Sequence, residues 1–568
     1  MRALLERKLA EVLEALGLPS VAFSLARPRL PEHGDWASNI ALAVAQAVGK
    51  PPMEIAEAIV KMLEKLDVMR AARVSVASPG FINFKISREA LAEEMHTIIK
   101  EGEAYGRNAA RAGTRVLIEY TDPNPFKEFH IGHLMSNAIG ETLSRICEFS
   151  GAEIVRANYQ GDVGLHVAKA VWAAQNETLP DKAAALRERM VFWGKMYQEG
   201  NRAYEEGAAT DKTAIENINR EIYEGCSPHV RELYERGRAD SLEYFAKIYP
   251  RLGTRFDEYF FESETWQKGK ALVEEYLVKG VFEQSEGAVV FRGEPYGLHT
   301  RVFLSTSGLP TYEAKDLGLM LTKEERLHPD RSLVVTGNEV REYFKVVREA
   351  MRQIRPELAG KTEHITHGML RLKSGKMSSR TGNVIAAEAL LDEVKTLAEK
   401  KMKESGIVAE AERRTVAYDV AVAAIKYSIL RQSIGKDIIF DPDSSLSFEG
   451  DSGPYLQYTY ARACSVLRKA HAAGLDVSAE HFPVRVYPLE RELIHFPDVV
   501  SAALAEYAPQ HLCTFLSGLA QAFNHFYAAE RIVDSGTEAP WRIMMTAAVA
   551  ATLKNGLWLL GIRAPERM

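Results

Sequence analysis

The clearest hydrophobic pattern in this chain lies between residues 116 and 162. Residues 116–121, VLIEYT, form a short run rich in β-branched side chains, and a proline-interrupted polar loop follows it. Such a run predicts a buried strand. Beyond the loop, Met135, Ile139, Leu143 and Ile146 recur at helical spacing and mark one apolar face. Gly151 stands where a glycine that ends a helix belongs, and residues 154–158 predict the next strand. Strand, helix and strand in this order make a βαβ unit. That unit requires a parallel sheet, with a ligand crevice beyond the strands' carboxyl ends.

The same reading divides the rest of the chain. Residues 1–110 predict a small α/β module: an amphipathic first helix, a helix over 52–66, and strands over 74–77 and 81–85 around Ser78-Pro79-Gly80. Residues 111–440 form the βαβ-type domain, interrupted by a charged, largely helical insertion at about 167–247. Within the insertion, Trp172, Trp193 and Tyr197 read as core. Strands resume at 288–291 and 333–335. Residues 441–568 carry helical spacing, in 453–469 and from 499 to 560, and predict an all-α bundle. The expected class is therefore α/β, with a Rossmann-type centre between a small α/β module and a helix bundle.

Composition changes this picture little. A chain of 568 residues with 46% hydrophobic and 26% charged residues is an ordinary globular protein of several domains. The longest apolar runs are too short to span a bilayer, and the first helix carries acidic residues unlike a signal peptide. A cytoplasmic location is expected. Cys147, Cys226, Cys464 and Cys513 are scattered without a CxxC pair, so neither zinc nor a disulfide framework is expected. The net charge of −6 gives no sign of a nucleic-acid partner, although basic residues can still be gathered on one face.

Candidate chemistry gathers at the predicted crevice. His130-Ile131-Gly132-His133 opens the first helix of the βαβ unit. Two imidazoles three residues apart share one side of a first helical turn, beside its free N–H groups. That end of a helix attracts anions, and Gly132 removes the side chain that would hold a base or phosphate away. Far downstream, residues 373–384 read KSGKMSSRTGNV, a basic, glycine-flanked loop. Between them, Tyr312 and Asp316 are four residues apart, on one face if that segment begins a helix.

HIGH on the first strand–helix turn together with a KMS-type loop resembles the class I aminoacyl-tRNA synthetases. Further segments narrow the resemblance to arginyl-tRNA synthetases: GDWASN at 34–39, PGFINF at 79–84, ExTxPNP before HIGH, NYQGDVG at 158–164, SFEGDSGPYLQYTYAR at 447–462 and the ending GLWLLGIRAPERM. The resemblance implies ATP-dependent activation of L-arginine to arginyl-AMP and transfer to the 3′ end of tRNA(Arg). It also implies that Mg²⁺ accompanies the ATP and that the enzyme acts as a monomer. Glu119, Tyr312 and Asp316 would hold the guanidinium and Asn124 the α-amino end. His130, Gly132, His133, Met377 and Ser378 would bind ATP. The N-terminal module would contact the body of the tRNA, and the C-terminal bundle its anticodon. Two rivals remain at this level: another HIGH nucleotidyltransferase acting on a small acid, and a synthetase paralogue that binds RNA without catalysis.

The loop departs from the KMSKS form. Aligned on Lys376-Met377-Ser378, its fourth position is Ser379, followed by Arg380. Arginyl-tRNA synthetases often carry a lysine just before HIGH instead, and Lys127 matches it, with Lys376 and Arg380 closing over the phosphates. Removing one charge-assisted contact made in the transition state lowers a rate by about 10²–10³-fold. Single-turnover arginyl-adenylate formation is therefore expected to slow by about that factor in Lys127→Ala, with arginine affinity little changed and partial recovery in Ser379→Lys.

Overall fold

The computed structural model describes residues 1–65, 68–225, 227–373, 386–405, 408–479 and 481–568. Lys376, Met377, Ser378, Ser379 and Arg380, and also Cys226, fall outside the described residues. At the centre is a five-stranded parallel sheet: β1 (Arg115–Glu119), β2 (Glu153–Gln160), β3 (Glu258–Phe261), β4 (Arg331–Gly337) and β5 (Thr362–His367). The order across it is β5-β4-β1-β2-β3. The chain thus builds outward from β1 on one side and returns to build outward on the other. The reversal falls between β1 and β4, and the crevice opens there.

Two helices flank that point, α1 (Ile131–Phe149) and α2 (Tyr312–Leu327). The pleat of β1 sends them to opposite faces. Val116 and Ile118 pack into the main core with Leu134 and Ala138 of α1. Leu117 points the other way and packs with Ala157, Phe260 and Leu319 of α2. Both helices run antiparallel to the strands, so both begin at the strands' carboxyl edge.

The apolar stripe of α1 is buried, as its spacing predicts, but so is nearly every other position from His133 to Phe149. The reason is a second cover: the helices Glu410–Leu430, Phe496–Glu506 and Ala539–Leu559 pack on the face turned away from the sheet. Most polar residues of α1 are consequently bonded inside the protein, the buried Thr142 hydroxyl excepted. Ser136 Oγ donates to Val335 O at 2.8 Å, and Asn137 Nδ2 donates to Thr121 Oγ1 at 3.0 Å. Glu141 accepts from Tyr120 Oη at 2.6 Å and from Arg145 Nε at 2.7 Å, and Arg156 Nε lies 3.3 Å from it. Arg145 in turn donates to Trp558 O at 2.9 Å, so the end of the chain is joined to α1 through this carboxylate.

The remaining elements frame this centre. In the N-terminal module, strands Ala72–Ala77 and Phe81–Ile86 pair antiparallel around residues 78–80. The module docks on the C-terminal helices through Trp36 Nε1 to Asp498 Oδ2 at 2.7 Å and a bidentate Arg27–Glu492 pair. The insertion consists of Leu165–Ala174, Leu186–Glu206, Ala209–Glu224 and Pro228–Arg251. Strand Ala288–Phe291 does not join the central sheet. It lies between Glu283–Ser285 and Arg301–Leu304 in a separate antiparallel sheet, a partnership that strand periodicity alone does not encode.

Glu141 balances the buried guanidinium of Arg156, which it shares with Glu148, and the half-buried one of Arg145. Truncating one member of such a network leaves charge buried without a partner and costs about 3–5 kcal/mol. Glu141→Ala is expected to lower the urea midpoint of the catalytic domain accordingly, read by fluorescence unfolding against the unchanged chain.

Candidate active site

The turn that carries HIGH is held by its own side chains. His130 is the N-cap of α1, and its Nδ1 accepts from Gly132 N at 3.1 Å. His133 Nδ1 accepts from the His130 N–H at 3.2 Å, completing a reciprocal cap in which both residues are histidines. The rings stack at 3.6 Å and 19°. Because both Nδ1 lone pairs are engaged, the neutral rings carry their protons on Nε2. Burial pushes His130 down to about 4, with the Lys127 charge adding to it. It pushes His133 well below the usual range, with His130 and Lys127 adding to it. Two neutral N–H donors therefore extend the helix N-terminus. Gly132 serves this arrangement as well as ligand approach, since a Cβ there would meet the His130 ring at 2.9 Å.

The loop from β1 to α1 is conformationally strained. Thr121 and Asp122 both adopt left-handed backbone, at φ 83° and 43°, and so does Phe126 at 67°. Thr121 N donates to Ser136 Oγ at 2.9 Å, and Asp122 Oδ1 accepts from Tyr159 N at 2.8 Å. Asn124 lies against the backbone of Gly161 in the NYQGDVG segment, where a Cβ would meet its Oδ1 at 2.4 Å. Phe126 N donates to Ser241 Oγ of the insertion at 2.9 Å. Lys127 is half-buried, with its Nζ 4.5 Å above the ring of Tyr197.

The carboxylates gather on the α2 side. Glu119 follows the pleat of Leu117 toward α2 and is ion-paired with buried Lys323 at 2.7 Å. It is thus already partnered inside the protein. Asp316 accepts from Tyr343 Oη, and its other oxygen has no hydrogen-bond partner among the described residues. Burial raises Asp316 to about 7, with Glu119 and Glu262 adding to the rise against Tyr343 and Lys323. Burial also raises Asp122 well above its ordinary value, with Glu119 adding to the rise. Three carboxylates with one lysine leave a site that lacks a cation. Tyr312, one turn before Asp316, is largely exposed at the N-terminus of α2, with Lys315 Nζ 4.9 Å from its ring. Lys315 itself is fixed by buried Glu262 at 2.6 Å.

The crevice therefore joins His130, Gly132, His133, Asn124 and Lys127 on the α1 side to Glu119, Asp316 and Tyr312 on the α2 side. Asp122, Lys323 and Tyr343 join them without having been singled out from the sequence. Asp122 stands in the ExTxPNP segment and could have been found there, whereas Lys323 and Tyr343 lie in no recognisable pattern. The chain that follows residues 374–385 returns beside HIGH: Ala386 bridges His130, and Ala387 N donates to Phe129 O at 2.8 Å.

Known families match every part of this chain. Residues 94–442 match the tRNA synthetases class I (R) catalytic domain, 456–568 the DALR anticodon binding domain and 3–86 the arginyl tRNA synthetase N terminal domain. The chain belongs to the arginyl-tRNA synthetase family. It is 32% identical to the arginine–tRNA ligase of Treponema pallidum over 98% of both chains, and 31% identical to that of Streptococcus suis over all of both. The arginyl-tRNA synthetase structure of Thermus thermophilus matches at TM-score 0.80 and 25% identity over the whole of both chains. That of Plasmodium falciparum shares the fold, with TM-score 0.79 at 19% identity over 99% and 98% of the two chains. ATP-dependent ligation of an amino acid to tRNA is the reaction of this family, and the expected class I architecture with its two terminal modules holds.

In this arginyl-tRNA synthetase site only the ionised form of Asp316 would attract a cationic ligand. Protonation competes with binding below a pKa raised to about 7, so affinity is lost as pH falls, not as it rises. The dissociation constant for arginine, measured by calorimetric titration, is expected to increase toward about tenfold per unit below pH 7. Asp316→Asn should bind weakly and lose that slope.

Proposed function

We propose that this chain is an arginine–tRNA ligase whose amino acid is chosen by the cation-deficient side of the crevice and activated on the α1 side. The observation that carries this reading is the raised, incompletely partnered Asp316 beside Glu119, Asp122 and Lys323. A guanidinium offers a planar fork of donors and a charge it cannot lose. It would pair with Asp316, with Tyr312 beside it and Glu119 acting from behind through Lys323, while Asn124 meets the α-amino end. The arginine carboxylate then attacks the ATP α-phosphorus in line and pyrophosphate leaves.

The Nε2–H groups of His130 and His133 donate to phosphate oxygens and strengthen as charge develops there. Lys127 adds positive charge on the same side, in the role of the lysine missing at Ser379, and Gly132 leaves room for the nucleotide. Lys376, Met377, Ser378 and Arg380 are assigned to phosphate closure on their motif alone. Mg²⁺ would arrive with the ATP phosphates, and among the described residues no group of three His, Cys, Asp or Glu is arranged to hold a metal ion. No step is assigned to a protein-held ion.

Transfer to tRNA(Arg) needs an RNA-reading surface. Arg462 lies between the rings of Tyr458 and Tyr527, at 4.6 and 5.1 Å, beside a cavity of about 460 Å³ that also meets Arg468, Lys469 and Met568. Rings and guanidinium groups of this kind stack unpaired bases. Most of the cavity's lining, from Tyr458 to Met568, lies in the residues matched to the DALR anticodon binding domain, which supports an anticodon role, while Val408, Ala409 and Glu412 come from the catalytic-domain match. The reading includes action as a monomer in the cytoplasm, since one chain supplies both sides of the crevice. No described helix is long and apolar enough to cross a membrane.

Aminoacylation of total tRNA with each of the twenty amino acids tests the assignment, and only arginine should be charged. Citrulline, nearly isosteric but uncharged, leaves the carboxylates without a cation and should be rejected by roughly 10⁴-fold in kcat/KM. Comparable charging of the two would refute the pocket assignment.

A further inference from the structure

The helical insertion carries no catalytic motif, yet it forms the mould for the segment that precedes HIGH. Phe126 is fully buried, 5.2 Å from Trp193 and against Gly237, where a Cβ would meet its ring at 2.0 Å. Trp193 donates through Nε1 to buried Asp240 at 3.0 Å, and Asp240 also holds Arg189 and Arg236. Phe129 packs against Phe245 at 6.4 Å and Tyr249 at 6.5 Å. Between these anchors, Lys127 has its ammonium 4.5 Å over the ring of Tyr197, one helical turn beyond Trp193.

We infer that Tyr197 is a positioning residue, which holds the Lys127 ammonium over its ring so that the charge faces the nucleotide phosphates. Three observations converge on this. The docked ammonium lies close enough to the HIGH pair for its charge to act on both His130 and His133. Tyr197 also lies within electrostatic reach of Tyr312 on the α2 side. The ring faces Lys127 from the same helix that holds Phe126, so lysine and ring share one rigid support. A flexible four-carbon stem without that support would spread its charge over many rotamers. A π face supplies attraction without removing the proton and without the neutralising charge of a carboxylate.

The inference rests on the proposed role of Lys127, and the experiment separates the two. Single-turnover adenylate formation with tRNA(Arg) present is compared for Lys127→Ala, Tyr197→Phe, Tyr197→Leu and the double variant Lys127→Ala/Tyr197→Leu. Tyr197→Leu should be slower by about tenfold, the rate equivalent of one partly desolvated cation–π contact, with the arginine KM unchanged. Tyr197→Phe, which keeps the π face, should retain most of the rate. In the Lys127→Ala background, Tyr197→Leu should cost nothing further. A slow Lys127→Ala beside a normal Tyr197→Leu overturns the positioning role alone. So does a loss in Tyr197→Phe equal to that in Tyr197→Leu, which assigns the effect to the hydroxyl, and so does additivity in the double variant. A normal Lys127→Ala removes the lysine's role and the positioning role with it.

Discussion

The site depends on one costly stretch of backbone. Between β1 and α1, Thr121 and Asp122 are consecutive non-glycine residues in left-handed conformation, each costing on the order of 1–3 kcal/mol. The strain persists because neighbours fix it from several directions. Ser136 and Asn137 of α1 hold Thr121, and the first N–H beyond Asn158 on β2 holds Asp122. Ser241 of the insertion holds Phe126. In return the chain turns sharply enough to bring Asp122, Asn124 and His130 to the same crevice. An unstrained connection would carry these side chains past the strand ends.

Charge in the crevice is divided between its two sides. On the α2 side, carboxylates outnumber the lysine, and burial raises the pKa values of Asp122 and Asp316, with the Glu119 charge adding to both. On the α1 side the donors at the helix N-terminus are neutral imidazoles, because burial and Lys127 oppose a second and third positive charge. A polyphosphate bound there would meet one full charge and several oriented N–H groups. Neutral donors bind product phosphate less tightly than imidazolium would, and they still stabilise charge that grows at the α-phosphorus.

Much of this was legible in local sequence. The spacing of Met135, Ile139, Leu143 and Ile146 identifies α1, and the strand runs on either side fix the βαβ unit. Tyr312 and Asp316, four apart, are readable once a helix start is expected. The partners were not legible. Lys323 and Tyr343 meet Glu119 and Asp316 only because α2 packs on β1 and the helix Arg341–Ile354 packs on α2, and no local pattern records that. Tyr197 reads as core for the same reason: half-buried aromatic residues on amphipathic helices mostly are, and its distinction is the cation it faces. The burial of α1 on its polar side was hidden too, since the covering helices lie more than two hundred residues downstream.

That second cover explains why a helix in the middle of an enzyme can carry so many buried polar groups. Glu141 satisfies Tyr120 next to the strained loop, Arg156 on β2, and Arg145, whose guanidinium reaches the carbonyls of Trp558 and Gly253. Lys426 donates to Gly561 O at 2.9 Å, and burial beside Arg145 lowers its pKa to about 7. A purely apolar contact would let the C-terminal helices slide over α1, because hydrophobic burial has no direction. Hydrogen bonds to individual carbonyls fix one register between the chain's end and the helix that carries HIGH. The same carboxylate, through Tyr120, sets the residue before Thr121. Placement of the C-terminal domain and geometry of the catalytic turn are thus constrained at a single buried group, which gives the family-specific ending GLWLLGIR a structural reason.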